Sequence, residues 1–122
     1  MEHKILIVDD DAPILELLKF DLLSEGFEVI TAKNEAEFRA AVENHHFSLI
    51  ILDIMLGDKN GPLIYNELLG KGLKRSTPII FLSALASDQT PVPAGHGRSY
   101  ALHGKPFDSE ELITEIRQMI AA

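Results

Sequence analysis

Residues 49–53 read Leu-Ile-Ile-Leu-Asp, and residues 5–10 read Ile-Leu-Ile-Val-Asp-Asp. In each stretch, acidic residues directly follow a run of four apolar residues: Asp53 follows the first run, and Asp9 and Asp10 follow the second. Unbroken runs of this kind are typical of strands in a parallel sheet that helices cover on both faces. Ligands of such sheets bind beyond the carboxyl ends of the strands. The two stretches therefore predict an α/β fold and place Asp9, Asp10 and Asp53 where a functional site is expected.

The size and composition of the chain narrow the classes of protein to consider. At 122 residues we expect one domain, residues 1–122, with its own core and no output domain. The formal charge of −8 disfavours nucleic acid and anionic membranes as partners, because phosphate binding depends on clustered Lys and Arg. The sequence contains no cysteine, no stretch that reads as a secretory leader and no membrane-spanning apolar run. We expect a soluble, cytoplasmic protein.

Strand patterns and helix patterns alternate along the chain, which predicts a doubly wound α/β domain. The first four predicted strands are residues 4–8, 27–32, 49–52 and 79–82, and a fifth leads to Lys105. Helix patterns follow the first three strands, and a last one follows Pro106. Residues able to cap helices precede three of these patterns: Asp11, Asn34 and Asp108. The succession of elements is therefore a strand and then a helix, five times over.

The segment between the fourth strand and Lys105 departs from this alternation. Pro91, Pro93, Gly95 and Gly97 fall where a fourth helix would run. Interior proline costs a helix about 3 kcal/mol, and interior glycine about 1 kcal/mol, relative to alanine. We therefore expect the fourth helix to be weak or missing.

Polar residues follow four of the five predicted strands at their carboxyl ends. They are Asp9 and Asp10 after the first strand, Asp53 after the third, Ser83 after the fourth and Lys105 after the fifth. Two like charges about 4 Å apart repel by roughly 4 kcal/mol at an effective dielectric constant of 20, so three clustered carboxylates need a cation. Mg²⁺ fits, because this ion binds a few carboxylates and keeps water and phosphoryl oxygens as its other ligands.

These segments resemble the receiver domain of two-component response regulators over nearly the whole chain. The matching segments are Ile-Leu-Ile-Val-Asp-Asp-Asp at 5–11, Leu-Ile-Ile-Leu-Asp-Ile-Met-Leu at 49–56 with Gly61 beyond, Pro-Ile-Ile-Phe-Leu-Ser-Ala at 78–84 and Gly-Lys-Pro-Phe at 104–107. Each segment is a weak signal alone, but in this order and spacing they are specific together. The resemblance implies a flavodoxin-like (βα)5 three-layer sandwich with the parallel sheet order 2-1-3-4-5.

The resemblance also implies a role for each polar residue. Asp53 would accept a phosphoryl group from the phosphohistidine of a sensor histidine kinase or a histidine phosphotransfer protein. Asp10 and Asp53 would hold Mg²⁺ together with the Met55 backbone carbonyl, and Asp9 would act mainly through a coordinated water. Two further residues would contact the phosphoryl oxygens after transfer: Ser83 and Lys105.

The sequence departs from the family pattern at two positions near this site. The aromatic residue that commonly lies three positions before the lysine is Leu102 here, and Tyr100 is the nearest aromatic. Whether Tyr100 substitutes for it stays open. Gly57 stands where proline is usual after the acceptor, and we expect a looser loop there.

Two other functions remain as alternatives. One is a degenerate receiver that binds proteins without phosphorylation, although the intact set of polar residues argues against it. The other is a small aspartyl-phosphate phosphohydrolase, a class that normally carries a second acid two residues beyond its nucleophile, where this chain has Met55. We expect a receiver domain, stand-alone or excised, that is a monomer or weak dimer and contacts a downstream protein effector. It would be no enzyme beyond its own phosphorylation and dephosphorylation.

Overall fold

The two apolar runs form neighbouring interior strands of a parallel sheet in the computed structural model of the chain. The structure describes residues 3–74, 76–83, 100–104 and 108–121, with residues 100–104 described through their backbone. The strands are β1 (Lys4–Val8), β2 (Glu28–Ala32), β3 (Leu49–Asp53), β4 (Met55–Leu56), β5 (Lys59–Asn60), β6 (Ile79–Ser83) and β7 (Tyr100–Gly104), and the helices are α1 (Ala12–Ser24), α2 (Glu35–Asn44), α3 (Gly61–Leu68) and α4 (Ser109–Ala121).

Within the described residues, the main sheet has the strand order β2-β1-β3-β6-β7, with every pair parallel. Strands β4 and β5 form a separate antiparallel hairpin, so the order of the main sheet is the predicted 2-1-3-4-5. The order reverses between β1 and β3, and the crevice at their carboxyl ends is where such sheets bind ligands. The predicted fold is confirmed. The prediction of a weak or missing fourth helix concerns residues 84–99, which lie outside the described residues.

The burial of β3 explains why its sequence is an unbroken apolar run. All five residues of β3 are buried. Leu49 and Ile51 pack on one face with residues of α1 and α4, while Ile50 and Leu52 pack on the other face with residues of α2 and α3. Burial of one such side chain contributes about 1.5–3 kcal/mol, so this strand is fixed firmly in the sheet. The residue at its end, Asp53, is fixed with it.

Side-chain caps begin the helices at the predicted places. The Asp11 carboxylate accepts a hydrogen bond of 3.3 Å from the Ile14 amide, so α1 begins directly after the acidic end of β1. Asn34 accepts one of 2.8 Å from the Glu37 amide at the start of α2. Asp108 accepts from two first-turn amides of α4, at 2.9 and 3.1 Å. These caps set where the chain leaves the sheet and enters each helix.

Polar contacts join α4 to α1 on one side of the sheet. The Ser109 hydroxyl donates to Asp21 Oδ2 at 2.8 Å, near the start of α4. At the other end, the Arg117 guanidinium donates to Glu25 Oε1 at 2.8 Å and lies over the Phe27 ring, 5.2 Å from its centroid.

No helix in the described part of the chain combines the length and apolar character that crossing a membrane requires.

Candidate metal centre

Three carboxylates meet at the carboxyl edge of the sheet. Asp9 and Asp10 directly follow β1, and Asp53 is the last residue of the neighbouring strand β3. One carboxylate oxygen from each of the three lies within 4.8 Å of the other two. Asp9 is 0% exposed and Asp53 is 5% exposed, while Asp10 is open to solvent. The sheet thus brings together three acids from two segments of the sequence.

Backbone amides orient the two buried carboxylates. The Asp11 amide donates a hydrogen bond of 2.9 Å to Asp9 Oδ1, and the Met55 amide donates one of 3.2 Å to Asp53 Oδ1. Each donor lies two residues beyond its acceptor, so the chain turns back over its own carboxylate as it leaves the strand. Asp11 therefore contributes its amide to the site, whereas its carboxylate caps α1 as predicted.

The loop after Asp53 is a hairpin that the sequence analysis did not anticipate. Met55 pairs with Asn60 and Leu56 pairs with Lys59, which leaves residues 57–58 as a two-residue turn. Gly57 has φ of +65°, and no described non-glycine residue has a positive φ. Glycine with positive φ at the first central position is the pattern of a type II′ turn. A Gly-Asp pair between two short strands is a known hairpin signal and could have predicted it.

Gly57 also contacts the third carboxylate. Its amide donates a hydrogen bond of 3.1 Å to Asp10 Oδ2, across 47 positions of sequence. The expectation of a looser loop at Gly57 concerns motion and stays a prediction. What the structure adds is a specific polar contact between this turn and the acidic end of β1.

Gly61 allows α3 to approach the backbone of Asp53. Its amide donates a hydrogen bond of 2.7 Å to the Ile54 carbonyl. A Cβ at this position would overlap the Asp53 carbonyl oxygen and would lie 3.3 Å from the Ile54 oxygen. The first turn of α3 packs directly on the peptide that carries Asp53. Steric crowding therefore explains why the matched motif has glycine at position 61.

The remaining predicted site residues differ in what the structure says of them. Ser83 ends β6, 5% exposed, one position beyond the residue that pairs with Asp53. Met55, whose carbonyl is the predicted metal ligand, begins β4 with its side chain 53% exposed. Lys105 lies outside the described residues, and it follows Gly104, which pairs with Ser83. Ser83 is thus beside the strand of Asp53, and the place of Lys105 stays a prediction.

The donor set suits a hard divalent cation. All three side chains offer carboxylate oxygens, the ligands that Mg²⁺ prefers, and their spacing of 4.8 Å or less lets one ion contact several of them. Three negative charges so close repel one another, and a bound cation would offset that repulsion. The residues present therefore fit the ion that the sequence analysis expects.

The sequence matches the response regulator receiver domain family over residues 5–117. The chain therefore belongs to the receiver domain family of two-component response regulators, and the resemblance noted from the sequence is confirmed. Receiver domains of this family typically use Mg²⁺, and the cluster of Asp9, Asp10 and Asp53 could bind it.

Individual relatives agree with this family. The chain is 34% identical over 118 residues to the transcriptional regulatory protein GltR of Pseudomonas aeruginosa, which covers 97% of this chain and 49% of GltR. It is similar to the CheY-like receiver domain of Methanospirillum hungatei JF-1, with a TM-score of 0.87, 30% identity and coverage of 99% of this chain and 95% of the other.

The BeF3-activated DrrB receiver domain is also similar, with a TM-score of 0.83, 26% identity and full coverage of both chains. The chain spans between 26% and 54% of the length of the first curated relatives that it matches.

Proposed function

We propose that this receiver domain is a phosphoacceptor switch of a two-component system or phosphorelay, and that Asp53 takes the phosphoryl group. The donor would be the phosphohistidine of a sensor histidine kinase or a histidine phosphotransfer protein. One observation carries the proposal: Asp53 ends the central strand of the sheet with a carboxylate oxygen within 4.8 Å of oxygens from Asp9 and Asp10. The match to the receiver family supports the same role.

The chemistry begins with the Asp53 carboxylate as nucleophile. One of its oxygens attacks the phosphorus, the bond from phosphorus to the imidazole nitrogen breaks, and that nitrogen keeps the electron pair. The product is an acyl phosphate on Asp53, a covalent intermediate that water can later hydrolyse. The Met55 amide holds Oδ1 of the carboxylate, which limits the rotation of the nucleophile before attack.

Charge neutralisation is the other requirement of phosphoryl transfer. Asp9, Asp10, Asp53 and the Met55 carbonyl would hold Mg²⁺. When bound, this ion supplies positive charge that offsets the charge on the phosphoryl oxygens. The Ser83 hydroxyl, on the strand next to Asp53, would donate to one phosphoryl oxygen after transfer. The Lys105 ammonium would pair with another.

The signal would pass on through a protein contact. We propose that phosphorylation changes the region of residues 83–105 and that a downstream protein effector binds there; residues 84–99 and 105 of this region lie outside the described part of the chain. The net charge of −8 argues against nucleic acid or a membrane as the direct partner. The domain would act in the cytoplasm as a monomer or weak dimer, without turnover of any separate substrate.

Phosphoryl uptake tests this function. The protein is incubated with acetyl phosphate, or with a phosphorylated sensor histidine kinase, in Mg²⁺ and in excess chelator. We expect one phosphoryl group per chain in Mg²⁺, and none in chelator or in Asp53→Asn. Asp58→Asn is the matched control, because Asp58 is an exposed carboxylate in the turn near the site and should leave uptake unchanged.

Two outcomes would favour the alternatives. No uptake from any donor in Mg²⁺ would favour a degenerate receiver that binds partners without phosphorylation. Steady release of phosphate from small phosphate esters, abolished by Asp53→Asn, would favour a phosphohydrolase.

A further inference from the structure

We propose that Gly57 is a positioning residue for the metal centre, because its backbone amide holds Asp10 in place for the cation. A proline at this position would have no amide hydrogen and could not take this role. The inference rests on the proposed function, since it concerns the same Mg²⁺ site. It adds one contact to that site, the hydrogen bond that the Gly57 amide donates to Asp10.

The position of Asp10 shows what the contact does. Asp10 is exposed, so the surrounding side chains leave its carboxylate several rotamers. The hydrogen bond from the Gly57 amide to Oδ2, at 3.1 Å, selects among them. With that bond formed, an oxygen of Asp10 already lies within 4.8 Å of oxygens from Asp9 and Asp53. The amide therefore holds Asp10 toward the other two ligands before any cation binds.

The hairpin fixes the amide that makes this contact. On one side, Leu56 is 3% exposed and packs in the core with residues of α2 and α3. On the other side, Asn60 accepts a hydrogen bond of 3.1 Å from the Leu63 amide and so caps α3. Gly57 lies between these two anchored ends in a two-residue turn. Its amide is thus part of the fold and does not have to be ordered when the cation binds.

The geometry of the turn decides which substitutions at Gly57 keep the amide hydrogen and which remove it. A Cβ at Gly57 would lie 3.9 Å from Asp10 Oδ2, which is ordinary van der Waals contact, so a side chain fits. The positive φ of 65° is the constraint, and asparagine tolerates such a φ better than most residues. Gly57→Asn therefore keeps the amide hydrogen and can adopt the turn, at some cost in strain. Gly57→Pro removes the amide hydrogen and also breaks the turn, because proline holds φ near −65°, so a second background is needed to separate the two effects.

Binding of Mg²⁺ alone, without a phosphoryl donor, tests the proposal. Affinity is measured by titration of backbone amide chemical shifts in the unmodified protein, Gly57→Pro and Gly57→Asn. We expect Gly57→Pro to bind Mg²⁺ about tenfold more weakly, equal to about 1.4 kcal/mol. Gly57→Asn should recover most of that loss, because it keeps the hydrogen-bond donor and can adopt the positive φ. Equal weakening in both variants would show that the amide hydrogen does not decide the affinity and would overturn the proposal.

A double-mutant comparison isolates the contact with Asp10. In an Asp10→Ala background, Gly57→Pro should weaken Mg²⁺ binding no further, because the side chain that the amide holds is gone. A further tenfold loss in that background would contradict the proposal. If the unmodified protein binds no Mg²⁺, the proposed function itself fails. If it binds Mg²⁺ and Gly57→Pro binds equally well, this inference alone fails.

Hydrogen exchange provides a second test should Gly57→Pro not fold. The Gly57 amide should exchange slowly in the unmodified protein, with or without Mg²⁺, and at least tenfold faster in Asp10→Ala. Equal exchange in these two proteins would overturn the proposal. Loss of protection on addition of Mg²⁺ would overturn it as well, because the amide would then release Asp10 when the cation binds.

Discussion

Gly61 shows at the scale of one residue how a missing side chain shapes the site. The first turn of α3 rests on the peptide of Asp53, and the close approach leaves no room for a Cβ. The position of the Asp53 carboxylate therefore depends on a neighbour that has no functional group. In the sequence this glycine was recognisable as part of a motif, but its reason emerges only from the packing of the helix.

We predict that Gly61→Ala destabilises the domain by about 1–3 kcal/mol, as overpacked sites do. The new methyl group would push α3 away from the Asp53 carbonyl, so the rate of phosphoryl uptake should fall as well. Urea denaturation and uptake from acetyl phosphate measure the two effects. Asn66→Ala, an exposed change in the same helix, is the control and should stay within about 0.5 kcal/mol of the unmodified protein.

Asp11 tests the distinction between a capping residue and a metal ligand. Its carboxylate caps α1, and its amide holds Asp9. Asp11→Ala should lower the free energy of unfolding by about 1 kcal/mol through loss of the cap. Mg²⁺ affinity at physiological salt should change by less than about threefold, because the amide remains and more distant charges are screened. A much larger loss of affinity would place the Asp11 carboxylate in the metal centre.

At the scale of elements, the contacts of Arg117 join the end of α4 to the segment between α1 and β2. Arg117 combines an ion pair with Glu25 and a contact with the Phe27 ring. Arg39 offers a comparison with no aromatic partner among the described residues, and it bridges Glu35 and Glu67 at 2.9 and 3.3 Å between α2 and α3. A comparison of the two arginines therefore separates the contribution of ion pairing to stability from that of packing on an aromatic ring.

We predict that Arg117→Ala lowers the free energy of unfolding by about 1 kcal/mol, and Arg39→Ala by about 0.5 kcal/mol. Salt of about 1 M should remove most of the Arg39 effect, because it screens exposed pairs strongly. Part of the Arg117 effect should remain, since its side chain also packs on the ring. Urea denaturation at low and high salt measures this difference, and complete loss of the Arg117 effect at high salt would contradict it.

The elements of the fold were predictable where one signal dominated. Apolar runs fixed β1 and β3, and the capping residues Asp11, Asn34 and Asp108 marked the starts of three helices. The short hairpin of β4 and β5 was missed because its strands have two residues each and show no alternation of apolar and polar residues. Its turn residues, Gly57 and Asp58, carried the only hairpin signal in this segment.

The site was predictable only in part, because backbone amides as well as side chains build it. Parallel strands place their carboxyl ends at one edge, so the meeting of Asp9, Asp10 and Asp53 follows from topology. The amides of Met55 and Gly57 that hold these carboxylates depend on backbone turns, and side-chain chemistry in the sequence does not reveal them. Residue types therefore indicated the candidate ligands, while the structure was needed to show which amides orient them.

For the molecule as a whole, the candidate metal centre of Asp9, Asp10 and Asp53 links charge to stability. Three carboxylates within 4.8 Å repel one another in the absence of a cation, so the site destabilises the metal-free fold. Asp53→Asn should raise the free energy of unfolding without Mg²⁺ by about 1 kcal/mol, since it removes one of the three charges. Denaturation in excess chelator measures this gain, and Asp58→Asn, in the exposed turn, should show little of it.

Mg²⁺ should stabilise the unmodified protein by an amount that grows with the logarithm of its concentration relative to the dissociation constant. At a concentration about 100 times the dissociation constant, the expected gain is about 2.7 kcal/mol. The Asp53→Asn variant should gain much less, because it offers one carboxylate fewer. A gain of the same size in both proteins would show that Mg²⁺ acts elsewhere on this acidic chain.

Side chains that follow four strands should share one site around Asp53. An experimental structure of the domain with Mg²⁺ and beryllofluoride would show whether they do. We expect beryllofluoride on an Asp53 oxygen, Mg²⁺ on Asp10, Asp53 and the Met55 carbonyl, and fluorine contacts from Ser83 Oγ and Lys105 Nζ. Beryllofluoride bound at Asp53, but with Lys105 out of reach of it or Mg²⁺ away from the three acids, would rule out this shared site.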